Sequence, residues 1–319
     1  MRLTAFILLI VAITACNKEQ TTLKLAHGLD TGHSVHKAMV LLANELEKNS
    51  SGKLKIDIYP GGQLGAEREC LELLQIGSLD ITKVSAAVME GFVEEYRVFG
   101  LPYLFNDKEH YYSVLDGKTG KYILARGEEF WLRGLCYYDA GSRSFYTIQK
   151  PVEHPDDLKG MKIRVMKSIT AVKMVQSLGG SPTPISWGEL YTALQSGVVD
   201  GAENNPPSFY LSHHYEVCKY YSLDEHTMIP DVLLISSKTW NRLTSQEQSW
   251  LEEAVSKSVI YQRELWQKSE KEALDSVISH GVEIIYPDKG AFKDRVDDVY
   301  NDLLENEAIE ELVGQIRVR

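Results

Sequence analysis

Residues that could bind a ligand stand at the ends of three short apolar segments in the middle of the chain. Arg164 and Lys167 end the first segment, Trp187 follows the second, and Glu203 and Asn204 end the third. An arginine fork matches a carboxylate, an asparagine bonds a carboxylate or a hydroxyl, and an indole offers a flat face to a sugar or an aliphatic chain. Because ligands of open parallel sheets bind beyond the carboxyl ends of strands, these residue types predict a site for a small organic acid.

Each of these residues also has an interpretation without a ligand. Arg164 is compatible with a surface position on an edge strand, Trp187 with a core position at a helix start, and Asn204 with the turn before Pro206. The occurrence of an arginine, an aromatic residue and an amide at three successive predicted strand ends favours the binding site.

Catalytic and metal-binding motifs are absent from the sequence. It contains no G-x-S-x-G, G-x-x-x-x-G-K-[ST] or G-x-G-x-x-G pattern, and no C-x-x-C or H-E-x-x-H. We therefore expect neither an enzyme nor a bound cofactor or metal. An extracytoplasmic enzyme or a ligand sensor remains as an alternative.

Short apolar segments alternate with amphipathic ones in two successive blocks. Strands are predicted at residues 23–26, 54–58, 79–84, 161–165, 183–185 and from 198, and helices from residue 34 and at residues 67–76, 168–178 and 187–196. Strands that alternate with helices of this length are typical of parallel sheets. The pattern predicts the α/β class, with two doubly wound α/β lobes joined by a hinge.

One later helix is unusually long. It begins at a capping box formed by Thr244 and Glu247, and its apolar positions keep helical spacing as far as Gly281. At 1.5 Å per residue the helix would be roughly 50 Å long, so we expect it to span both lobes. The alternative is two helices broken near residues 267–271. A strand at residues 282–286 and an acidic helix at residues 291–304 follow.

The N-terminus has the pattern of a lipoprotein signal peptide. Arg2 precedes an apolar run over residues 3–12, which is too short to span a membrane. The sequence ITAC at residues 13–16 resembles the lipobox of bacterial lipoproteins. Residues 1–15 are therefore predicted to be cleaved, Cys16 to carry lipid, and residues 16–22 to form a tether. An unmodified cysteine is the alternative.

Composition and charge limit the remaining function classes. The chain has 319 residues, 44% of them hydrophobic, and a formal net charge of -11. This length allows about two cores, and the acidic balance without a basic run argues against nucleic acid as a partner. Three further cysteines allow at most one disulfide in an oxidising compartment, and whether Cys136 and Cys218 pair is left open.

Several motifs resemble one family of transport receptors. The longest are GMKIRV at residues 160–165, LGGSPTP at residues 178–184 and ELYTALQSGVVDGAEN at residues 189–204; YPGGQLG at residues 59–65, GSLD at residues 77–80 and LPY at residues 101–103 are shorter. They are similar to the solute receptors of TRAP transporters, the DctP family. The resemblance implies a periplasmic-binding-protein-like fold and an extracytoplasmic, lipid-anchored receptor. Such a receptor closes on an organic acid and delivers it to TRAP permease subunits in the membrane.

The resemblance also implies roles for individual residues. The carboxylate-binding arginine of the family falls on Arg164, its strand-end asparagine on Asn204 and its ring-facing aromatic on Trp187. Arg143 matches a second arginine of sialic-acid receptors, with a hinge-loop surface charge as the alternative. Ser85 stands where those receptors carry a glutamate, which argues against sialic acid.

The other ligand contacts are expected from the first lobe. They are inferred from predicted strand ends and a helix start, and they are His27, His33, Gln63, Ser85 and Glu67. A bulky indole and several neutral polar groups suit a hexuronate or aldonate better than a four-carbon dicarboxylate or a 2-oxo acid, which remain alternatives.

The lobe boundaries follow from where the chain should cross between lobes. Lobe I is predicted at residues 23–142 plus about 231–265, and lobe II at residues 143–230 plus about 266–319. The hinge is predicted near residues 140–144 and 230–232.

Overall fold

The computed structural model describes residues 20–318 of the chain. The predicted signal peptide, the lipidation site Cys16 and most of the predicted tether lie outside the described residues. No helix among the described residues is long and apolar enough to cross a membrane.

Two β-sheets form the framework of the molecule. In chain order the strands are β1 (Thr21–Ala26), β2 (Leu54–Tyr59), β3 (Ile81–Ser85), β4 (Leu132–Tyr138), β5 (Arg143–Thr147), β6 (Lys162–Val165), β7 (Ser181–Pro184), β8 (Gly201–Asn204), β9 (Tyr220–Thr227), β10 (Asp231–Ser236) and β11 (Glu283–Ile285). The first sheet has the order β2-β1-β3-β10-β4, and the second has the order β11-β9-β5-β8-β6-β7. Each sheet is the centre of one lobe.

Both sheets are mixed, whereas the sequence pattern predicted parallel ones. β1 is parallel to β2 and β3, and β6 is parallel to β7 and β8, as the alternating pattern requires. β10 is antiparallel to β3 and β4, and β5 is antiparallel to β8 and β9. The reason is that β5 and β10 each enter their sheet directly from the other lobe, without the crossover helix that would reverse the chain.

The helices of the described residues include five that lie close to predicted positions, beginning at residues 34, 67, 169, 190 and 245, and six that were not predicted, beginning at residues 86, 108, 118, 206, 237 and 307. In chain order the helices are α1 (Ser34–Asn49), α2 (Glu67–Ile76), α3 (Ala86–Met89), α4 (Lys108–Leu115), α5 (Lys118–Arg126), α6 (Ile169–Ser177), α7 (Leu190–Gln195), α8 (Pro206–Leu211), α9 (Ser237–Trp240), α10 (Ser245–Ser279), α11 (Lys289–Lys293), α12 (Asp297–Leu304) and α13 (Glu307–Arg317).

Three predicted elements differ from the structure. The segment at residues 187–196 begins as the 3₁₀ turn Trp187–Glu189 before α7. Val198 and Val199 precede β8 in a turn rather than forming it, and the predicted helix at residues 291–304 is two helices, α11 and α12. The ends of helices and strands are held by only a few local hydrogen bonds, so tertiary packing can shift where each element begins or ends.

Helices cover both faces of the first sheet, as a doubly wound lobe requires. Leu233 and Ile235 of β10 pack with residues of α1 and α10, while Val232 and Leu234 face the other way, toward residues of α2. Alternation along the strand therefore buries both of its faces. This explains why the strand is a continuous apolar run in the sequence.

The helix α10 is unbroken and spans both lobes, so the alternative of two helices is wrong. Thr244 caps it: the Thr244 hydroxyl accepts from the Glu247 amide at 3.3 Å, and the Glu247 carboxylate accepts from the Thr244 amide at 2.8 Å. Leu251 packs in the core of the first lobe and Val277 in that of the second. Between them, the Gln262 amide bonds both backbone groups of Asp139, each at 2.8 Å.

Two short connections join the sheets besides α10. Residues 139–142 link β4 to β5, and residues 228–230 link β9 to β10. These connections overlap the predicted hinge segments. The helices α12 and α13 pack in one core with residues of α4 and α6, so the C-terminal segment contacts helices from both lobes. The lobe boundaries in the sequence stay a prediction.

Gly141 lies in the first connection with a backbone φ of 58°. A Cβ atom there would lie 2.9 Å from Trp266 Nε1 and would also clash with Glu270 Oε1. We expect Gly141→Ala to lower the free energy of unfolding by about 1–3 kcal/mol, through backbone strain and displacement of α10. Urea denaturation measures it.

Gly314 is the matched control. It lies in α13, and nothing approaches its Cβ position within 4 Å. Gly314→Ala should be neutral or stabilise by about 0.5–1 kcal/mol, because alanine favours the helix. Equal stability losses in the two variants would contradict the expectation.

Candidate functional site

A cavity of 440 Å³ lies between the two lobes. It is lined from the first sheet and its helices on one side and from the second sheet on the other. Seven predicted ligand contacts line it: Glu67, Ser85, Arg143, Arg164, Lys167, Trp187 and Asn204. Ser85, Arg164 and Asn204 come from the carboxyl ends of β3, β6 and β8, as the strand-end rule predicts. Arg143 instead begins β5, and it reaches the same edge because β5 is antiparallel to β8.

Arg143 is held rigidly at the first position of β5. Its Nε and Nη2 donate to the Glu203 carboxylate at 2.5 and 3.0 Å, Nη2 also donates to the Glu203 carbonyl at 2.9 Å, and Nη1 donates to Asn204 Oδ1 at 2.8 Å. Only 4% of Arg143 is exposed, so the interpretation as a surface charge is wrong. A guanidinium with this many fixed partners has one orientation toward the cavity.

A buried carboxylate–imidazole pair lies behind Arg143. Asp224 accepts from His226 Nδ1 at 2.7 Å, and His226 Nε2 lies 3.5 Å from Glu203 Oε2. Burial alone would raise the pKa of Glu203, but the Arg143 charge and hydrogen bonds from His226 and Arg143 lower it to about 2. Burial alone would lower the pKa of His226, but Asp224 and Glu203 raise it to about 9. Both groups are therefore charged at neutral pH.

Arg164 has unused hydrogen-bonding capacity. Its Nε donates to the Ile185 carbonyl at 2.9 Å, and its Nη1 is buried without a partner among the described residues. Burial lowers the pKa of Arg164, although a guanidinium remains charged at neutral pH. A buried cation that lines a cavity and lacks an acidic partner favours an anionic ligand.

Trp187 and Arg164 lie side by side on the second lobe. The guanidinium carbon of Arg164 is 5.7 Å from the centre of the Trp187 ring. The indole also meets His214 edge to face, with ring centres 5.1 Å apart. Trp187 is half-buried, packs against the core of the second lobe and lines the cavity. Trp187 therefore has the core contacts of its structural interpretation, and its contact with a ligand stays a prediction.

Asn204 and its neighbour have different roles. Asn204 Oδ1 accepts from Arg143 and from the Asn205 amide at 2.9 Å, which orients the Asn204 side chain in the cavity. Asn205 caps α8 by accepting from the Ser208 amide at 2.8 Å. Lys167 is exposed at the cavity edge.

Four predicted contacts lie outside the cavity lining. Gln63 is exposed in the turn after β2, and Glu203 is buried behind Arg143. His27 is buried, with one nitrogen 2.9 Å from His36 and the other accepting from the Leu29 amide at 3.1 Å. His33 caps α1 and lies against Trp266, with ring centres 5.7 Å apart. Burial lowers the pKa of both His27 and His33 to about 3.

Lys83 and Asp231 line the cavity but are not predicted from the sequence. Lys83 Nζ lies 3.2 Å from Glu67 Oε1 and 3.1 Å from Asp231 Oδ1. The sequence did carry one signal for this cluster, namely a lysine inside the apolar strand β3. Lysines are almost never fully buried unless they are paired, so this lysine indicated a buried acidic partner. Ser85 ends the same strand and caps α3.

The described residues contain no group of three or more His, Cys, Asp or Glu side chains that could hold a metal ion. Cys70, Cys136 and Cys218 are buried and free. Burial raises the pKa of Cys70 to about 11, so this thiol is protonated at neutral pH.

This chain is similar in sequence and fold to several known proteins. An uncharacterised protein of Salmonella typhimurium, YiiZ, is 41% identical over 89% of this chain and 87% of its own length. A TRAP periplasmic solute-binding protein of Bradyrhizobium sp. BTAi1, solved with galacturonate, is 38% identical, with a TM-score of 0.92 over 94% of this chain and 100% of that one. Another, from Anaerococcus prevotii with glucuronate, is 37% identical, with a TM-score of 0.92 over 93% and 97%.

The family assignment rests on most of the described chain. Residues 25–307 match the family described as bacterial extracellular solute-binding protein, family 7, DctP. This range includes both sheets except the first four residues of β1, and every residue of the cavity named above. The chain belongs to the DctP family, the solute-binding proteins of TRAP transporters.

Proposed function

We propose that this protein is the extracytoplasmic receptor of a TRAP transporter and that it captures a hexuronate such as galacturonate or glucuronate. The observation that carries the proposal is the buried guanidinium of Arg164, which lines an interlobe cavity and whose Nη1 has no hydrogen-bond partner within residues 20–318. The similar proteins of Bradyrhizobium and Anaerococcus solved with galacturonate and glucuronate support the ligand class.

In the proposed binding mode, charged and polar side chains bind the carboxylate of the ligand, and an aromatic side chain contacts its apolar side. Arg164 and Arg143 bind the carboxylate, and Asn204 bonds the carboxylate or an adjacent hydroxyl. The indole of Trp187 faces the apolar side of the sugar ring, which is a common arrangement for aromatic residues and rings with axial C–H groups. Glu203 acts through Arg143 as a positioning residue.

Capture proceeds by closure of the two lobes. The cavity is lined from both lobes, so a bound ligand makes contacts to both and stabilises the closed state over the open one. Residues 139–142 and 228–230, together with α10, are the covalent links across which such a hinge would bend.

Delivery places the receptor at a bacterial membrane. Lipidation of Cys16 would anchor the chain on the extracytoplasmic side, and the TRAP permease subunits would receive the ligand there. Growth with labelled palmitate tests this anchor: label should enter the protein and be lost in Cys16→Ser. The receptor binds and releases its ligand chemically unchanged.

A ligand screen by thermal shift and calorimetry tests the proposed function. A ligand that binds only the folded state raises the melting temperature, by about 5 °C or more at a hundredfold excess over Kd. We expect this shift with galacturonate or glucuronate, with the sugar recovered unaltered afterwards. Stabilisation by succinate, malate or 2-oxo acids alone would overturn the ligand class, and conversion of the sugar to a product would overturn the receptor.

A further inference from the structure

A buried charge cluster of Lys83, Glu67 and Asp231 forms the first-lobe wall of the cavity. Its members come from β3, the start of α2 and the start of β10. The side chain of Lys83 is 2% exposed, and those of Glu67 and Asp231 are 19% and 11% exposed. All three line the cavity. The cluster is therefore covered by protein on the outside and open toward the ligand space.

The cluster combines one lysine with two acidic residues. Burial alone would lower the pKa of Lys83, but the charges of Asp231 and Glu67 raise it, so the ammonium is retained. Burial raises the pKa of Asp231, although the Lys83 ammonium opposes this shift. With both carboxylates ionised, the cluster carries one net negative charge. The opposite side of the cavity holds Arg164, a cation without an acidic hydrogen-bonding partner among the described residues. The buried cation Arg164 thus lies on the second-lobe side and the acidic cluster on the first-lobe side, where the exposed Arg68 and Glu69 also line the cavity.

The two carboxylates also have free acceptor atoms. Lys83 occupies Glu67 Oε1 and Asp231 Oδ1, and the Ser85 amide donates to the same Glu67 oxygen at 3.2 Å. No described residue donates to Glu67 Oε2 or Asp231 Oδ2. An ionised carboxylate only accepts hydrogen bonds, so these atoms need donors from a ligand or from water. Sugar hydroxyls donate, whereas a second ligand carboxylate cannot.

We propose that Glu67, Asp231 and Lys83 determine specificity, by accepting hydrogen bonds from the hydroxyl end of the ligand and by rejecting a second carboxylate there. This inference rests on the proposed function of the same cavity. It assigns to the receptor sugar acids with one carboxylate and excludes the hexarates, which carry a carboxylate at both ends of a similar carbon chain. The rejection comes from charge repulsion and from carboxylate acceptors left without donors.

The test compares galacturonate with galactarate by calorimetry. The wild type should bind galacturonate at least about 100-fold more tightly, because a buried like-charge contact and an unpaired acceptor together oppose the diacid. Asp231→Asn and Glu67→Gln each remove the net negative charge while keeping an oxygen for Lys83. In each variant the ratio of the two Kd values should fall by about 10-fold or more, with galactarate binding gained and galacturonate binding weakened.

Two variants and a control keep the outcomes distinct. Glu67 is the more exposed carboxylate, so Glu67→Gln provides the answer if Asp231→Asn fails to fold. Glu47→Gln removes an exposed charge of α1 outside the cavity and should leave the ratio unchanged. A wild type that binds both acids equally, or variants with an unaltered ratio, would overturn the specificity proposal while the receptor stands. A wild type that binds neither sugar acid would instead overturn the proposed function.

Discussion

Arg164→Ala is expected to weaken hexuronate binding by about 100-fold or more, since loss of one partner of a buried charge pair costs about 2–5 kcal/mol. Arg164 is 2% exposed, and its Nη1 has no partner among the described residues, so the ligand carboxylate would supply the missing acceptor. Titration calorimetry with galacturonate measures the loss. The ligand-free variant should remain folded, because a buried charge without an acidic hydrogen-bonding partner contributes little stability.

Arg164→Lys separates charge from geometry. Lysine keeps the positive charge but loses the planar fork that meets both carboxylate oxygens, so its affinity should lie between those of wild type and Arg164→Ala. Wild-type affinity in Arg164→Ala, with an unaltered melting temperature, would contradict the assignment of Arg164 to the ligand. Galacturonate should raise the melting temperature of the wild type but not that of Arg164→Ala.

Glu203→Gln is expected to lower the free energy of unfolding at pH 7 by about 3–5 kcal/mol, the cost of breaking a buried ion pair. The variant leaves Arg143 buried with its charge uncompensated, and it removes the carboxylate that lies 3.5 Å from His226. Urea denaturation of the two proteins at pH 7 measures the difference.

The pH dependence of stability gives an independent measure of the same pair. Glu203 has a pKa of about 2 in the folded protein against 4.5 ordinarily, so its contribution is complete above about pH 4.5 and is lost as the pH falls toward 2. His226 has a pKa of about 9 against 6.5, so its contribution is complete below about pH 6.5 and is lost as the pH rises through 9. As the pH falls from about 4.5 toward 2, Glu203→Gln should therefore lose less stability than the wild type, because it lacks the contribution of the Glu203 carboxylate.

Glu153→Gln is the control for Glu203. Glu153 is exposed, and its side chain makes no ion pair among the described residues. Its replacement should change the free energy of unfolding by less than about 0.5 kcal/mol. Comparable losses at positions 153 and 203, or parallel pH profiles for Glu203→Gln and wild type, would contradict the role of the buried pair.

Local sequence patterns predicted part of the secondary structure, whereas β4, β5, β9 and β10 and the helices α3, α4, α5, α8, α9 and α13 were not predicted. The helix at residues 67–76 has the predicted bounds, and α10 begins at the predicted capping box. Such elements depend on hydrogen bonds and apolar spacing within a few residues, which are visible in the sequence. The direction of β5 and β10 was not visible, because it depends on how the chain crosses between lobes.

The sequence predicted only some of the residues that line the cavity, because the direction of a side chain depends on tertiary contacts. Arg164, Trp187 and Asn204 end consecutive strands or begin the next helix, so the strand-end rule places them at one edge. Glu203 and His33 obey the same rule but turn to structural partners: Glu203 bonds Arg143 behind the cavity, and His33 caps α1. The end of a strand fixes where the backbone of a residue lies, but the surrounding residues of the folded protein determine the direction of its side chain.

The sequence alone indicated the alternation of strands and helices over about residues 23–84 and 161–196, the long helix α10, and the resemblance to solute receptors. Only the tertiary structure decided that Lys83 meets Asp231, 148 positions away in the chain, and that Arg143 is paired while Arg164 is not. The physical reason is the distance along the chain between the residues in contact. Secondary structure follows from contacts within a few residues, whereas the charge balance of a cavity follows from the register of distant strands, which no local pattern encodes.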